Sequence, residues 1–305
     1  MLSLIQLTVL KMNSYDNPKI EVNHSEVQIN ELDTDPMQSV SDQSSFDQNI
    51  TVVKIGGSTL GDHDTTLSDL VQLQKDGQNP VVVHGGGKIV SEWMEKQGVK
   101  PKFVDGLRVT DAQSLDIVTS VLTGLINKNL VSSIIKKGGN AVGISGVDGQ
   151  MISAKITDPK LGFVGEVTAI NSKPILSALN SGFIPIIAPV GVNEETYDDE
   201  SPNLLNINAD TVAGNISAAL NANTMLFLTD VEGVLDSSRR LIPRITRRQA
   251  DSLVKSKIIA GGMIPKIQAC VAALDGGAQT FIVDGRLPGA LTAIINGQTI
   301  GTRIG

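Results

Sequence analysis

Residues 81–90 read VVVHGGGKIV, in which a β-branched run leads through three glycines into a helical pattern. Residues 51–58 read TVVKIGGS and repeat this arrangement, with Lys54 inside the strand. Glycine lets the backbone approach a ligand closely, and the free N–H groups at the start of a helix favour an anion. The two loops therefore predict neighbouring strand-to-helix turns that hold a phosphoryl group from both sides.

Short β-branched runs alternate with helical patterns from residue 51 onward. The runs predict strands at 51–55, 81–84, 141–144, 184–188, 225–229 and 280–283. The helical patterns lie at 67–75, 89–97, 112–122, 127–137, 173–179, 211–220, 247–255, 266–274 and 289–295. Such alternation predicts an α/β fold, a three-layer αβα sandwich around a mainly parallel central sheet, with ligands beyond the carboxyl ends of the strands. The less regular segment 151–167 predicts a hairpin or lid beside the site.

The composition limits the classes of function open to the chain. Apolar residues make up 41% and charged residues 19%, as in ordinary globular proteins, and we expect no membrane partner because no apolar run reaches about 18 residues. With a net charge of −7 and no basic stripe, we expect no nucleic-acid partner. The single cysteine, Cys270, fits a cytoplasmic protein and predicts a buried thiol. Three histidines argue against a metal cluster or a Ser-His-Asp triad.

The first 50 residues differ from the rest of the chain. They are rich in Asn, Gln, Ser and Asp, carry −6 of the net charge and show no sustained periodicity. Segments of this kind bury too little apolar surface to fold, so we predict a disordered acidic and polar tail over 1–50. A regulatory or oligomer-forming arm is the alternative, although no amphipathic helix is evident there.

The glycine loops do not match the common nucleotide-binding motifs. A Walker A loop requires Ser or Thr after its lysine, whereas Ile89 follows Lys88. No Gly-x-Gly-x-x-Gly follows a strand, and the protein-kinase signatures are absent from the sequence. Each loop alone could be a structural turn, but a strand lysine needs a partner because burying an unpaired ammonium is costly. Lys54 is therefore a candidate site residue, while Lys88 is predicted to face solvent.

The segments KIGGS at 54–58 and HGGG at 84–87 resemble the opening loops of the amino acid kinase family, which includes aspartate, carbamate, glutamate, uridylate and acetylglutamate kinases. The resemblance covers residues 51–305. It implies the amino acid kinase fold with two lobes, 51–222 binding the acyl-amino-acid substrate and 223–305 binding ATP. It also implies a homodimer.

Two further segments resemble the acetylglutamate kinases within that family, GLRVTD at 106–111 and NINAD at 206–210. The resemblance implies that Gly85, Gly86, Arg108 and Asn206 bind N-acetyl-L-glutamate. Arg108 offers a forked donor that suits the α-carboxylate. A kinase acting on acetylaminoadipate or carrier-bound glutamate remains an alternative within the family, and a catalytically inactive binding module is an alternative outside enzymes.

The nucleotide half of the resemblance lies in FLTDVEGVL at 227–235 and GGMIPK at 261–266. It implies that the backbone and side chains that hold ATP belong to Gly57, Gly87, Asp230, Val231, Glu232, Gly233, Val234, Leu235, Ile258, Ile259 and Ala260. We expect Mg²⁺ to be carried by the nucleotide rather than by protein ligands, because this ion keeps much of its hydration.

The resemblance implies three catalytic residues, with Lys54 and Lys266 on the phosphoryl group and Asp210 orienting both lysines. A carboxylate acceptor has a pKa near 4.3 and is already ionised at neutral pH, so it needs no general base. Catalysis then consists of charge neutralisation and positioning. The structural alternatives are an N-cap role for Asp210 and an exposed helix position for Lys266.

Overall fold

The computed structural model describes residues 49–56, 65–104, 106–195 and 202–305. The strands are β1 (Ile50–Ile55), β2 (Asn79–His84), β3 (Phe103–Val104), β4 (Leu107–Arg108), β5 (Ala141–Ser145), β6 (Ile152–Ile156), β7 (Val164–Ile170), β8 (Ile184–Ala188), β9 (Val190–Asn193), β10 (Leu204–Ile207), β11 (Thr224–Thr229), β12 (Arg244–Ile245), β13 (Gln279–Asp284) and β14 (Thr302–Ile304). The helices are α1 (Thr66–Lys75), α2 (Gly87–Lys96), α3 (Ala112–Thr119), α4 (Asn127–Lys136), α5 (Lys173–Asn180), α6 (Ala209–Ala219), α7 (Arg247–Lys255), α8 (Met263–Asp275) and α9 (Ala290–Ile295).

The central sheet has eight strands in the order β12-β14-β13-β11-β1-β2-β8-β5. Neighbouring strands are parallel except β13 and β14. Successive residues of β1 enter different cores: Val52 belongs to a hydrophobic cluster with residues of α5, α6 and α8, and Val53 to a second cluster with residues of α1, α2, α3, α4 and α9. Helices therefore cover both faces, and the predicted α/β sandwich is confirmed.

A second group of strands, β6, β7, β9 and β10, closes into a small barrel. β6 and β7 pair antiparallel, so the hairpin predicted within 151–167 is confirmed. The residues Ile152, Ala154 and Leu205 belong to the same hydrophobic cluster as α6, which joins the barrel to that side of the sheet. β9 and β10 are absent from the predicted strands, because Gly191 and Asn206 interrupt their short apolar runs.

One continuous helix spans residues 112–136, where the sequence predicts two helices with a break around Gly124. A π-helical segment, Ser120–Ile126, joins α3 to α4 and keeps Leu122 and Ile126 in the buried core. Among the described residues this helix has the length and mean hydropathy (1.2) of a possible membrane span, yet 44% of that window is buried inside the fold. Core helices of globular proteins show the same combination.

The predicted boundary at residue 222 falls between α6 and β11. Because β11 pairs with β1 along its length, the two predicted lobes share one sheet, and their division stays a prediction. The predicted tail lies outside the described residues except at its end, where Ile50 begins β1. Cys270 is fully buried, as predicted, and burial raises the pKa of its thiol to about 12.

Candidate active site

Lys54 lies near the carboxyl end of β1, on the face of the sheet that α6 covers. Val53 and Ile55 pack on the opposite face, so strand alternation directs Lys54 towards α6. Its side chain is 10% exposed, and Nζ lies 2.6 Å from Oδ1 of Asp210 in the first turn of that helix. The strand lysine therefore has its charged partner, as the cost of burial requires.

Lys266, near the start of α8, reaches the same carboxylate. Its Nζ lies 2.9 Å from Oδ2 of Asp210 and 3.3 Å from the carbonyl oxygen of Gly262. The predicted catalytic residues thus meet in one ion-pair network, with one carboxylate oxygen on each lysine. Lys266 is not an exposed helix lysine, because 18% of its side chain is accessible.

The N-cap alternative for Asp210 is wrong. Asn208 caps α6, its Oδ1 accepting hydrogen bonds from the N–H groups of Asp210 (2.8 Å) and Thr211 (3.1 Å). With the backbone N–H groups satisfied in this way, the carboxylate of Asp210 is free to engage the lysines.

The electrostatics of the network keep Asp210 ionised. Burial by itself would raise the pKa of this carboxyl group, but Lys54 and Lys266 outweigh it and lower the pKa below its usual value. For Lys54, burial and the charge of Lys266 lower the pKa of the ammonium against the opposing effect of Asp210. Two cations and one anion leave a net positive charge, which suits a phosphate ligand.

A cavity of about 250 Å³ opens beside this network. Its lining includes two predicted catalytic residues, the four predicted substrate-binding residues and one predicted phosphate-binding glycine: Lys54, Asp210, Gly85, Gly86, Arg108, Asn206 and Gly87. Lys266 is not among the lining residues and reaches the cavity only through Asp210. The structure therefore brings together residues that are up to 156 positions apart in the sequence.

Arg108 is held rigidly at this cavity. Nη2 donates to the carbonyl oxygen of Gly87 (2.7 Å) and to Oγ of Ser91 (2.9 Å), while Nη1 contacts Sδ of Met94 at 3.1 Å. The guanidinium also lies 4.8 Å from the centre of the Phe103 ring. Burial lowers the pKa of Arg108, although an arginine stays protonated at neutral pH. The cavity thus presents a pre-oriented cation in addition to Lys54.

The glycine loop is closely packed at one of its positions. A Cβ added to Gly86 would meet the terminal methyl groups of Ile126 and Leu122 of the π-helical segment, which would have to shift. At Gly85 the nearest atoms would lie 3.8 Å away or more, and its N–H donates to the carbonyl oxygen of Ile55 at 3.0 Å. The predicted partner loop at Gly57 lies outside the described residues.

The segments predicted to hold ATP lie at the carboxyl end of β11 and before α8. Asp230, Val231, Glu232, Ile258 and Ala260 are exposed, whereas the side chains of Val234 and Ile259 enter the core. Gly233 has a φ of +151° and leaves no space for a Cβ beside Thr302, whose Oγ1 accepts from the N–H of Val234 at 2.8 Å. None of the residues 230–235 or 258–260 lines the 250 Å³ cavity, so their contact with ATP stays a prediction.

Comparison with known proteins supports the same reading of the fold. A model of the amino acid kinase family matches residues 49–284, more than three-quarters of the chain. The chain belongs to the amino acid kinase family.

Two curated relatives within the amino acid kinase family are acetylglutamate kinases. The Dehalococcoides mccartyi protein is 40% identical over 261 residues, covering 86% of this chain and 96% of the relative. The Synechococcus elongatus protein is 43% identical over 262 residues, covering 83% and 85%. A solved structure, smu.665 from Streptococcus mutans UA159, has a TM-score of 0.72 and 31% identity and covers 84% of this chain and 98% of its own. Family membership and the predicted fold are both confirmed.

The apolar wall of the cavity is not predicted from the sequence. Its members are ordinary hydrophobic residues from different elements: Val90, Phe103, Leu107, Val118, Leu122, Val164, Pro189 and Ile207. No local signal distinguishes such residues from the core, since only the tertiary fold brings them to the site. Leu107 and Ile207 alone adjoin predicted site residues, Arg108 and Asn206.

The distance between Asp210 and Lys266 depends on unusually close packing of α6 against α8. One turn after Asp210, a Cβ added to Gly214 would lie 2.8 Å from both the Cα and the carbonyl oxygen of Ala269. At the far end of the same pair, a Cβ added to Gly276 would lie 2.6 Å from the Cα of Ala218. Amino acid kinase activity should therefore be sensitive to the helix spacing near the ion pair.

Gly214→Ala is expected to lower kcat by about 10-fold or more, because separating the helices displaces Lys266 from Asp210. Gly276→Ala is the matched control, since it forces apart the same helices away from the site. Both substitutions are expected to reduce stability by about 1–3 kcal/mol through overpacking, measured by urea unfolding. Equal losses of kcat in steady-state assays of the two variants would contradict this role for Gly214.

Proposed function

We propose that this amino acid kinase family member is an acetylglutamate kinase, which transfers the γ-phosphoryl group of ATP to the side-chain carboxylate of N-acetyl-L-glutamate and forms N-acetylglutamyl 5-phosphate. The observation that carries the proposal is Asp210, whose two carboxylate oxygens hold Lys54 and Lys266. Asp210 and Lys54 line the same cavity as Arg108. The curated relatives described above are acetylglutamate kinases, which supports the choice of acceptor.

The reaction joins two anions, and the cations of the site reduce their repulsion. A side-chain oxygen of the acceptor attacks the γ-phosphorus, and the bond to the β–γ bridging oxygen breaks as ADP leaves. Lys54 and Lys266 neutralise charge on the γ-phosphoryl and bridging oxygens, and the N–H groups of Gly57, Gly86 and Gly87 stabilise the transferring group. Asp210 keeps the lysines in place and takes no proton from the ionised acceptor.

The acceptor is oriented by cavity residues that lie outside the ion-pair network. In this proposal Arg108 binds the α-carboxylate, Asn206 binds the amide or α-carboxylate, and Gly85 and Gly86 contact the substrate backbone. Asn206 is pre-oriented because its Nδ2 donates to Oγ1 of Thr110 at 3.1 Å, which leaves its carbonyl oxygen to accept.

We propose that Mg²⁺ enters with ATP, held by phosphate oxygens and water. Asp210 is a poor ligand because both of its oxygens are engaged by lysines. The residues that the structure describes contain no group of three or more His, Cys, Asp or Glu residues suited to a metal. The ion would supply additional charge neutralisation at the phosphates.

The proposed activity is tested by ATP-dependent hydroxamate formation with the purified full chain. N-acetyl-L-glutamate is expected to give the highest kcat/KM among acetylglutamate, acetylaminoadipate, glutamate and aspartate. A preference for acetylaminoadipate would identify the protein as an acetylaminoadipate kinase. Activity only with a carrier-bound glutamate would identify it as a kinase for that carrier-bound substrate. Binding of ATP without turnover of any acceptor would indicate an inactive binding module.

Arg108→Ala is expected to raise KM for N-acetyl-L-glutamate about 10- to 100-fold, as the loss of a charge-assisted hydrogen bond requires, with a smaller change in KM for ATP. Arg108→Lys should recover little, because lysine lacks the planar fork. Arg248→Ala, on the exposed side of α7, is the control and should leave both constants unchanged. A rise confined to the ATP constant would remove Arg108 from the acceptor site.

We further propose that the protein is a cytoplasmic homodimer, as the resemblance to the family implies. Light scattering coupled to gel filtration of the full chain tests the assembly, with a mass twice 32.2 kDa expected.

A further inference from the structure

His84 is a buried titratable residue next to the site. The proposed phosphoryl transfer does not require a histidine. His84 ends β2 immediately before the glycine loop and is 1% exposed. Its Nδ1 lies 2.9 Å from the carbonyl oxygen of Gly85, and its Nε2 lies 3.3 Å from Nδ2 of Asn127. A buried polar side chain with both ring nitrogens engaged is fixed in orientation.

The partners of the ring determine its protonation state. A carbonyl oxygen can only accept a hydrogen bond, so Nδ1 carries the proton and donates to Gly85. Nε2 then accepts from the amide of Asn127. Burial lowers the pKa of His84 to about 4 despite the bond to Gly85, and the charge of Lys54 lowers it further, so the ring is neutral at neutral pH.

Asn127 is itself locked, which explains how it can direct the ring. Its Nδ2 also donates to the carbonyl oxygen of Ile186 at 2.8 Å, and its Oδ1 accepts from Nζ of Lys128 at 3.1 Å. A side chain at Gly143 would collide with the amide, so glycine there leaves the space that Asn127 occupies. The carbonyl oxygen of Ile144 also lies 3.4 Å from Nδ2, and two carbonyl oxygens around one atom identify it as the donor end of the amide.

The bond from His84 has a consequence on the other side of the peptide. The peptide between Gly85 and Gly86 is trans, as are all the peptides that the structure describes, so its carbonyl and N–H groups point in opposite directions. Because the Gly85 carbonyl faces His84, the Gly86 N–H faces away from the ring. Gly86 is buried and lines the cavity, and no described residue accepts from its N–H.

We propose that His84 is a positioning residue that holds the Gly85 carbonyl and thereby aims the Gly86 N–H at the transferring phosphoryl group. The other side of Gly85 is fixed by its own N–H, which donates to Ile55. The loop therefore approaches the phosphoryl group with its donor already oriented. This role rests on the proposed function, since it assigns the phosphoryl group to this cavity.

Two substitutions test the contributions of the two ring nitrogens separately. In His84→Asn the side-chain amide can occupy the position of Nδ1 and donate to Gly85. In His84→Gln the amide reaches the position of Nε2 and the bond to Gly85 is lost. Both variants retain a buried amide, so we expect comparable stabilities, which thermal unfolding checks. We expect His84→Gln to lower kcat about 10- to 100-fold, a typical loss for a supporting partner, with less change in either KM. His84→Asn should restore most of the turnover.

Assays of both variants use whichever carboxylate acceptor supports wild-type turnover, so a wrong substrate assignment is recognised in the wild-type protein before the variants are compared. Equal kcat values for the two folded variants would overturn the role of His84. Nitrogen-15 NMR of the imidazole in the full chain provides a readout independent of activity. The proton is expected on Nδ1 at neutral pH, and a proton on Nε2 would equally contradict the proposal.

Discussion

Replacing Lys266 with alanine is expected to lower kcat by about 100-fold or more, comparable to the loss of one transition-state donor. The ammonium of Lys266 is held by Oδ2 of Asp210, 2.9 Å away. In the proposed reaction it neutralises the charge that develops as the bond to ADP breaks. Binding of ATP should change less than turnover, because that charge is largest in the transition state. Steady-state kinetics at saturating ATP and acceptor measure the effect.

The matched control is Lys255→Ala, at the exposed end of α7, which should leave kcat unchanged. Lys54 still pairs with Asp210 in the Lys266→Ala protein, so the fold should remain intact and thermal unfolding should shift little. Near-normal turnover in a folded Lys266→Ala protein would remove this lysine from the catalytic site.

The strand and loop positions could be predicted because their signals are local. Val81, Val82 and Val83 are fully buried in a parallel strand, which is the environment that a continuous β-branched run indicates. Lys88 is exposed, as predicted from its place on the first turn of α2. The family resemblance indicated that Lys54 and Lys266 belong to one site, which no periodicity in the sequence could have indicated.

The geometry of the ion pairs could not be predicted from the sequence. Asp210 and Lys266 are 56 residues apart, and they meet because Gly214 lets α6 approach the backbone of α8. Within a helical pattern, glycine predicts a less stable helix and gives no indication of a close contact between helices. The roles of Gly86 and the π-helical segment have the same origin, since each depends on a surface that is remote in sequence.

The position of His84 is a second feature that could not be predicted from the sequence. The scarcity of histidines in the sequence argues against metal and triad chemistry. The sequence does not place His84 beside the glycine loop, because its partner Asn127 lies 43 residues further along the chain. Hydrogen-bond partners of buried polar groups are a property of the tertiary fold, and they carry functional detail that motifs leave out.

Asp210→Asn is expected to lower kcat by about 100-fold or more and to destabilise the fold by about 3–5 kcal/mol at neutral pH, because it leaves two buried cations without their anion. The substitution is nearly isosteric, so packing changes little. The neutral amide also removes the charge that raises the pKa of Lys54. Urea unfolding and steady-state kinetics measure the two effects, with Asp251→Asn on exposed α7 as the control.

The pH dependence of Asp210→Asn separates this mechanism from simple damage to the fold. Lys54 must be protonated, so turnover falls as pH rises through its pKa, and the variant should show this fall at a lower pH than the wild type. The lowered pKa of Asp210 stabilises the wild type above the unfolded value of about 3.9, and this advantage is lost as pH falls through the folded value. The stability difference between the two proteins should therefore close in acid. A difference that persisted there, with an unmoved alkaline limb, would mean that Asp210 does not act through the charges of the lysines.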